Sequence, residues 1–135
     1  MLQPMDFEIN GEKYQAIPHT GFEALNLDRK VNALFTSAFK AGAGTDGEFY
    51  AAISGTLAGY SDPEYRWLVE TTFNRCTVVT GGKPHVRLAD MDAVAEQFRG
   101  KGPELYAAML RIWKGERLSP FALSPEPTEN GTVGA

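Results

Sequence analysis

The chain has 135 residues, 43% of them hydrophobic and 22% charged, with a formal net charge of −4. That length and balance describe one ordinary globular domain with enough apolar material for a core that needs neither disulfides nor metal. The acidic balance and scattered lysines and arginines argue against nucleic acid as a partner. Cys76, the single cysteine, allows no intrachain disulfide, and no apolar run approaches the ~20 residues of a membrane span. The opening MLQPMDFE lacks the basic start and apolar stretch of a signal peptide, so a soluble protein of a reducing cytoplasm is expected.

The first element is a β-hairpin. Asn10-Gly11 is the strongest two-residue turn signal, because a type I′ turn needs positive φ at both central residues. A two-residue loop pairs Ile9 with Glu12, Glu8 with Lys13, Phe7 with Tyr14 and Met5 with Ala16. Met5, Phe7, Ile9, Tyr14 and Ala16 then share one face, and the opposite charges Glu8 and Lys13 share the other. A lone hairpin is marginal, so that apolar face needs a partner.

A helix follows over Gly21–Lys40, with Thr20 and Glu23 spaced as a capping box. Leu27, Val31, Leu34, Phe35, Ala38 and Phe39 recur at three- and four-residue steps and cover a wide arc, while Phe22 and Leu25 lie off it. Such a helix is expected to be central and to receive the hairpin. Residues 41–45 (AGAGT) break the pattern. Asp46 then caps a second helix through about Tyr60, with Phe49, Tyr50, Ile53, Leu57 and Tyr60 on one face. Gly55 and Gly59 weaken it by roughly 1 kcal/mol each relative to Ala.

Ser61-Asp62-Pro63-Glu64 is a dense helix start. The third helix runs to about Cys76 on a face of Tyr65, Leu68, Val69, Thr72, Phe73 and Cys76. Trp67 points away from that stripe, either toward a partner or beneath the hairpin or tail. Cys76–Thr80 and His85–Leu88 are candidate strands of a second short hairpin around Gly81-Gly82, although the first of them also reads as the end of the third helix. Asp90 caps a fourth helix carrying Val94 and Phe98. A fifth runs from Pro103 through Lys114, with Leu105, Tyr106, Met109, Ile112 and Trp113 toward the core. Leu118 and Phe121 follow it.

The expected class is therefore mainly α (α+β): an N-terminal hairpin packed on a compact bundle of about five helices, with a possible second hairpin near 76–88. One globular domain covers 5–121. Residues 122–135 form a polar tail too poor in apolar side chains to order itself.

Catalytic chemistry is hard to find. His19 and His85 flank no recognised spacing; His19 reads as a loop residue after Pro18. Cys76 sits at core spacing and reads as a small buried hydrophobe rather than a nucleophile. Asp90 and Asp92 suit a helix start better than a metal. The glycines are too irregular for a phosphate loop. Asp28-Arg29-Lys30 reads as a solvated face. No catalytic, cofactor-binding or metal residue is assigned. The candidate partner-binding residues are Trp67, Leu118 and Phe121.

Phe7-Glu8-Ile9-Asn10-Gly11-Glu12-Lys13-Tyr14 resembles the opening hairpin of a family of tail assembly chaperones of tailed bacteriophages and prophages. The run Thr20-Gly21-Phe22-Glu23-Ala24-Leu25-Asn26-Leu27-Asp28-Arg29-Lys30-Val31 is similar to the start of that family's long helix. A Gly/Ala-rich break, an aromatic helix, a Ser-Asp-Pro-Glu-Tyr helix start, a Val/Thr-rich segment and a closing aromatic helix then follow in the family's order over residues 5–121. The polar tail is longer than in that pattern.

The resemblance implies a non-enzymatic, cofactor-free protein of the host cytoplasm. It would bind the tape measure protein, keep its apolar helices soluble and deliver it to the polymerising tail tube protein. It also implies a homo-oligomer and, in many relatives, a frameshifted longer form of the same chain. Neither membrane nor nucleic acid is an implied partner. Two other classes stay open: a structural tail or head-completion component retained in the virion, and a small enzyme or regulator in which His19, Cys76 or His85 converge in a polar pocket.

Overall fold

A computed structural model describes residues 3–40, 42 and 44–118. In chain order the elements are β1 (Met5–Ile9), β2 (Glu12–Ala16), α1 (Gly21–Lys40), α2 (Asp46–Leu57), α3 (Asp62–Phe73), β3 (Cys76–Val78), β4 (Val86–Arg87), α4 (Met91–Gln97) and α5 (Gly102–Gly115). The class is mixed α+β and mainly helical, with the N-terminal hairpin that the sequence predicts. The tail at 122–135 and the position of Phe121 lie outside the described residues.

The hairpin register is the one that Asn10-Gly11 sets: Met5 opposite Ala16, Phe7 opposite Tyr14, Glu8 opposite Lys13, Ile9 opposite Glu12. Asn10 and Gly11 take φ of 49° and 86°, the left-handed pair that a type I′ turn requires. The two hairpins join into one antiparallel sheet of order β1-β2-β3-β4. Tyr14 pairs with Val78 and Ala16 with Cys76, so the apolar face of the first hairpin continues across β3. Phe7, Tyr14, Ala16, Cys76 and Val78 are all buried.

The hairpin packs on α5, not on α1 as the wide apolar arc of α1 suggested; the strongest contacts of α1 are with α2 and α3. The approach is close enough that a Cβ on Gly115 would run into the Met5 sulfur. Arg111 of α5 lies over the Phe7 ring, 5.5 Å from its centroid, and Asn10 Nδ2 donates to Glu104 Oε2 at 2.7 Å. The physical reason lies in the apolar face of α5, which buries Leu105, Ala108, Met109, Leu110, Ile112 and Trp113, while the arc of α1 (Leu27, Val31, Leu34, Phe35) is taken up by its helical neighbours α2 and α3.

Helices α2, α3 and α4 start on side-chain caps, whereas Lys101 before α5 makes none. Ser61 and Glu64 close a capping box on α3, with Pro63 in the first turn, and Asp90 Oδ1 accepts from Ala93 N at 2.9 Å on α4. On α2 the cap is Thr45, boxed by Glu48, rather than Asp46. Helix α3 stops at Phe73, so Cys76 is buried in a strand and not on a helical stripe. Glu23 reaches Asn74, whose Nδ2 donates to it at 2.7 Å, and faces Arg75 at 4.0 Å.

Candidate functional site

The N-terminal half of α1 and the start of α3 border a surface groove of about 290 Å³, lined by Asn26, Lys30, Tyr60, Pro63, Glu64, Trp67 and Leu68. Leu68 is core, whereas Trp67 is half-buried and packs its inner edge on that core. The Glu64 carboxyl is held below its usual range, first by the Ser61 N–H, then by the Ser61 hydroxyl, with the Lys30 charge adding to them.

Phe22 stands on the same stripe of α1 as Asn26 and Lys30, at successive four-residue steps, and Leu25 is its neighbour three residues on. Phe22 is 79% exposed and Leu25 67% exposed. Two large apolar side chains are thus left in water on one turn of α1, the turn before the residues that line the groove. The sequence contained the signal: both residues fall off the apolar arc of α1. Ile17, eight residues before Leu25, is 49% exposed as well.

Of the residues expected to meet a partner, Trp67 belongs to this groove. Leu118 does not. It is 7% exposed, and its N–H donates to the Trp113 carbonyl at 3.2 Å while Arg117 N–H donates to the Lys114 carbonyl at 3.0 Å. Those two bonds, with Arg117 at φ 57°, are a Schellman motif, which folds the following apolar residue back onto its helix. Phe121 lies outside the described residues.

Of the three groups singled out for chemistry, two are buried and one is exposed. Cys76 is wholly buried, and burial pushes its thiol up to about 12, so at neutral pH it carries its proton. His19 is the loop residue that the sequence suggests, but a buried one, with Nδ1 2.6 Å from Glu116 Oε2 and Nε2 2.6 Å from the Thr71 carbonyl. Proline and histidine at a strand end gave no hint of this, because the partners lie 52 and 97 residues away. His85 is exposed beside β4. Among the described residues no group of His, Cys, Asp or Glu could hold a metal ion, and no helix is long and apolar enough to cross a membrane. Comparison with family models, curated proteins and solved structures finds no match to this chain.

Proposed function

We propose that this protein is a non-enzymatic tail assembly chaperone of a tailed bacteriophage or prophage. In this reading it binds the tape measure protein in the host cytoplasm, works as a homo-oligomer and releases its client to the growing tail tube. The observation that carries the reading is the exposed pair Phe22 and Leu25 beside the Trp67 groove. An amphipathic helix recognises a surface of this kind by laying spaced apolar side chains into it. A long helical client offers many such segments, and each needs only modest affinity. The resemblance over residues 5–121 supplies the client's identity.

The test is retention of the tape measure protein on the tagged chain. Wild type retains it, and a folded Phe22→Ser/Leu25→Ser variant retains much less. Failure of the wild-type chain to retain it would defeat the reading.

A further inference from the structure

Both ring nitrogens of His19 face acceptors. Nδ1 lies 2.6 Å from Glu116 Oε2, and Nε2 lies 2.6 Å from the Thr71 carbonyl oxygen and 3.0 Å from Asn74 Oδ1. The Asn74 amide is oriented by its own Nδ2, which donates to Glu23 Oε2 at 2.7 Å, so its oxygen is the atom that meets the ring. Carbonyls and carboxylates only accept, and a neutral imidazole has one N–H, so a neutral ring serves one side and leaves the other with opposed lone pairs. The side chains of His19 and Glu116 are 1% and 3% exposed, which leaves little room for water to repair the loss.

The same residues tie three parts of the chain together. The backbone N–H of His19 donates to Glu116 Oε1 at 3.1 Å, and Ile17 N–H donates to the Arg75 carbonyl at 3.0 Å. The junction between β2 and α1 is thereby fixed to the C-terminal ends of α3 and α5. We propose that His19 is a proton-held clasp: the doubly protonated ring locks this junction to the ends of α3 and α5, and loss of one proton opens it.

The charges around the ring agree. Glu116 faces it from the end of α5, and Glu23 of α1 acts through Asn74. Arg75, between α3 and β3, stands 4.0 Å from Glu23, and Arg87 of β4 donates from Nη2 to the Asn74 carbonyl at 3.2 Å. Burial opposes charge on the ring. The Glu116 hydrogen bond and charge, the Thr71 carbonyl and the Glu23 charge outweigh it and hold the ring's pKa above its ordinary 6.5. The stabilisation is therefore fully present below the unfolded value and is lost as pH rises through the higher folded value.

NMR of the full chain carrying His85→Gln reads the ring directly, since the sequence has two histidines and this leaves one. The expected spectrum at pH 6.5 shows both ring nitrogens of His19 protonated in the folded protein. As pH rises through its titration, amide protection factors of Ile17 and His19 fall on the order of tenfold while that of Leu110 in mid-α5 holds. Glu116→Gln moves the titration down and removes the corresponding pH dependence of thermal melting. A single neutral tautomer at pH 6.5 in the folded chain would overturn the clasp, and so would a titration that leaves both protection factors unchanged. If Glu116→Gln does not fold, the ring spectrum and exchange data decide alone.

Discussion

Phe7 and Tyr14 face one another across the first hairpin, with ring centroids 5.2 Å apart and planes 16° from parallel. The stack continues inward: Tyr14 lies on Phe98 at 5.9 Å and 11°, and Phe98 meets Phe73 at 5.4 Å. Four rings thus connect the outermost strand to the end of α4 and to α3. Gln97 Nε2 donates to the Tyr14 hydroxyl at 3.1 Å. Tyr14→Phe keeps the ring and loses that bond, at a cost of about 1 kcal/mol. Tyr14→Ala removes the middle of the stack and costs about 3–5 kcal/mol. Urea denaturation measures both, and equal costs would contradict the packing role.

Arg117 holds a left-handed φ of 57° to complete the motif that seats Leu118. A side chain in that conformation costs roughly 1–2 kcal/mol, and glycine adopts it freely. Arg117→Gly is therefore expected to stabilise the chain by about 1 kcal/mol, part of the gain being offset by the freer unfolded chain. A thermal melt checks this; a fall in melting temperature would mean that the arginine side chain matters more than its backbone.

Cys76 is expected to be inert. With the thiol buried and its pKa near 12, a thiol-reactive dye labels it only when the chain opens, at least about a thousandfold more slowly than in denaturant. Cys76→Ala is expected to cost about 1 kcal/mol of stability and to leave client binding intact. Rapid native labelling would reopen the thiol chemistry that the buried geometry argues against.

Much of the fold was legible because its signals are local. Asn10-Gly11 dictates a turn, the turn dictates the register, and Ser61 with Pro63 and Glu64 dictates a helix start within four residues. What escaped the sequence is non-local. The pairing of β2 with β3 joins residues sixty or more apart, and the choice of α5 over α1 as the hairpin's support depends on how two amphipathic surfaces compete. His19 shows the same limit, since its partners come from the distant C-terminal ends of α3 and α5. Leu118 misled for another reason: its motif is usually announced by glycine, and here an arginine takes the left-handed position. In the candidate site, Trp67 was legible as a residue off its helix's stripe. Phe22 and Leu25 gave the same signal on α1 but became meaningful only once their side chains were seen to stay in water.

Phe22→Ser and Leu25→Ser are expected to shift stability by no more than about 0.5 kcal/mol each, since neither side chain is packed. Each is expected to weaken client binding by ~1–2 kcal/mol, about 5- to 30-fold in Kd. Trp67→Ala weakens binding and also lowers stability, because that ring is half-buried on the core. Calorimetry against a client peptide, with a melt of each variant, separates the two effects. Unchanged binding in a folded Phe22→Ser/Leu25→Ser variant would move the contact surface elsewhere on the molecule.

The most direct test of the chaperone reading is co-expression with the tape measure protein of the same phage or prophage, followed by assay of that protein in the soluble fraction. The account predicts that the tape protein expressed alone aggregates, that the wild-type chain brings it into solution and copurifies with it, and that the folded Phe22→Ser/Leu25→Ser variant does so poorly. A tape protein that stays insoluble beside abundant, folded wild-type chain would contradict the account.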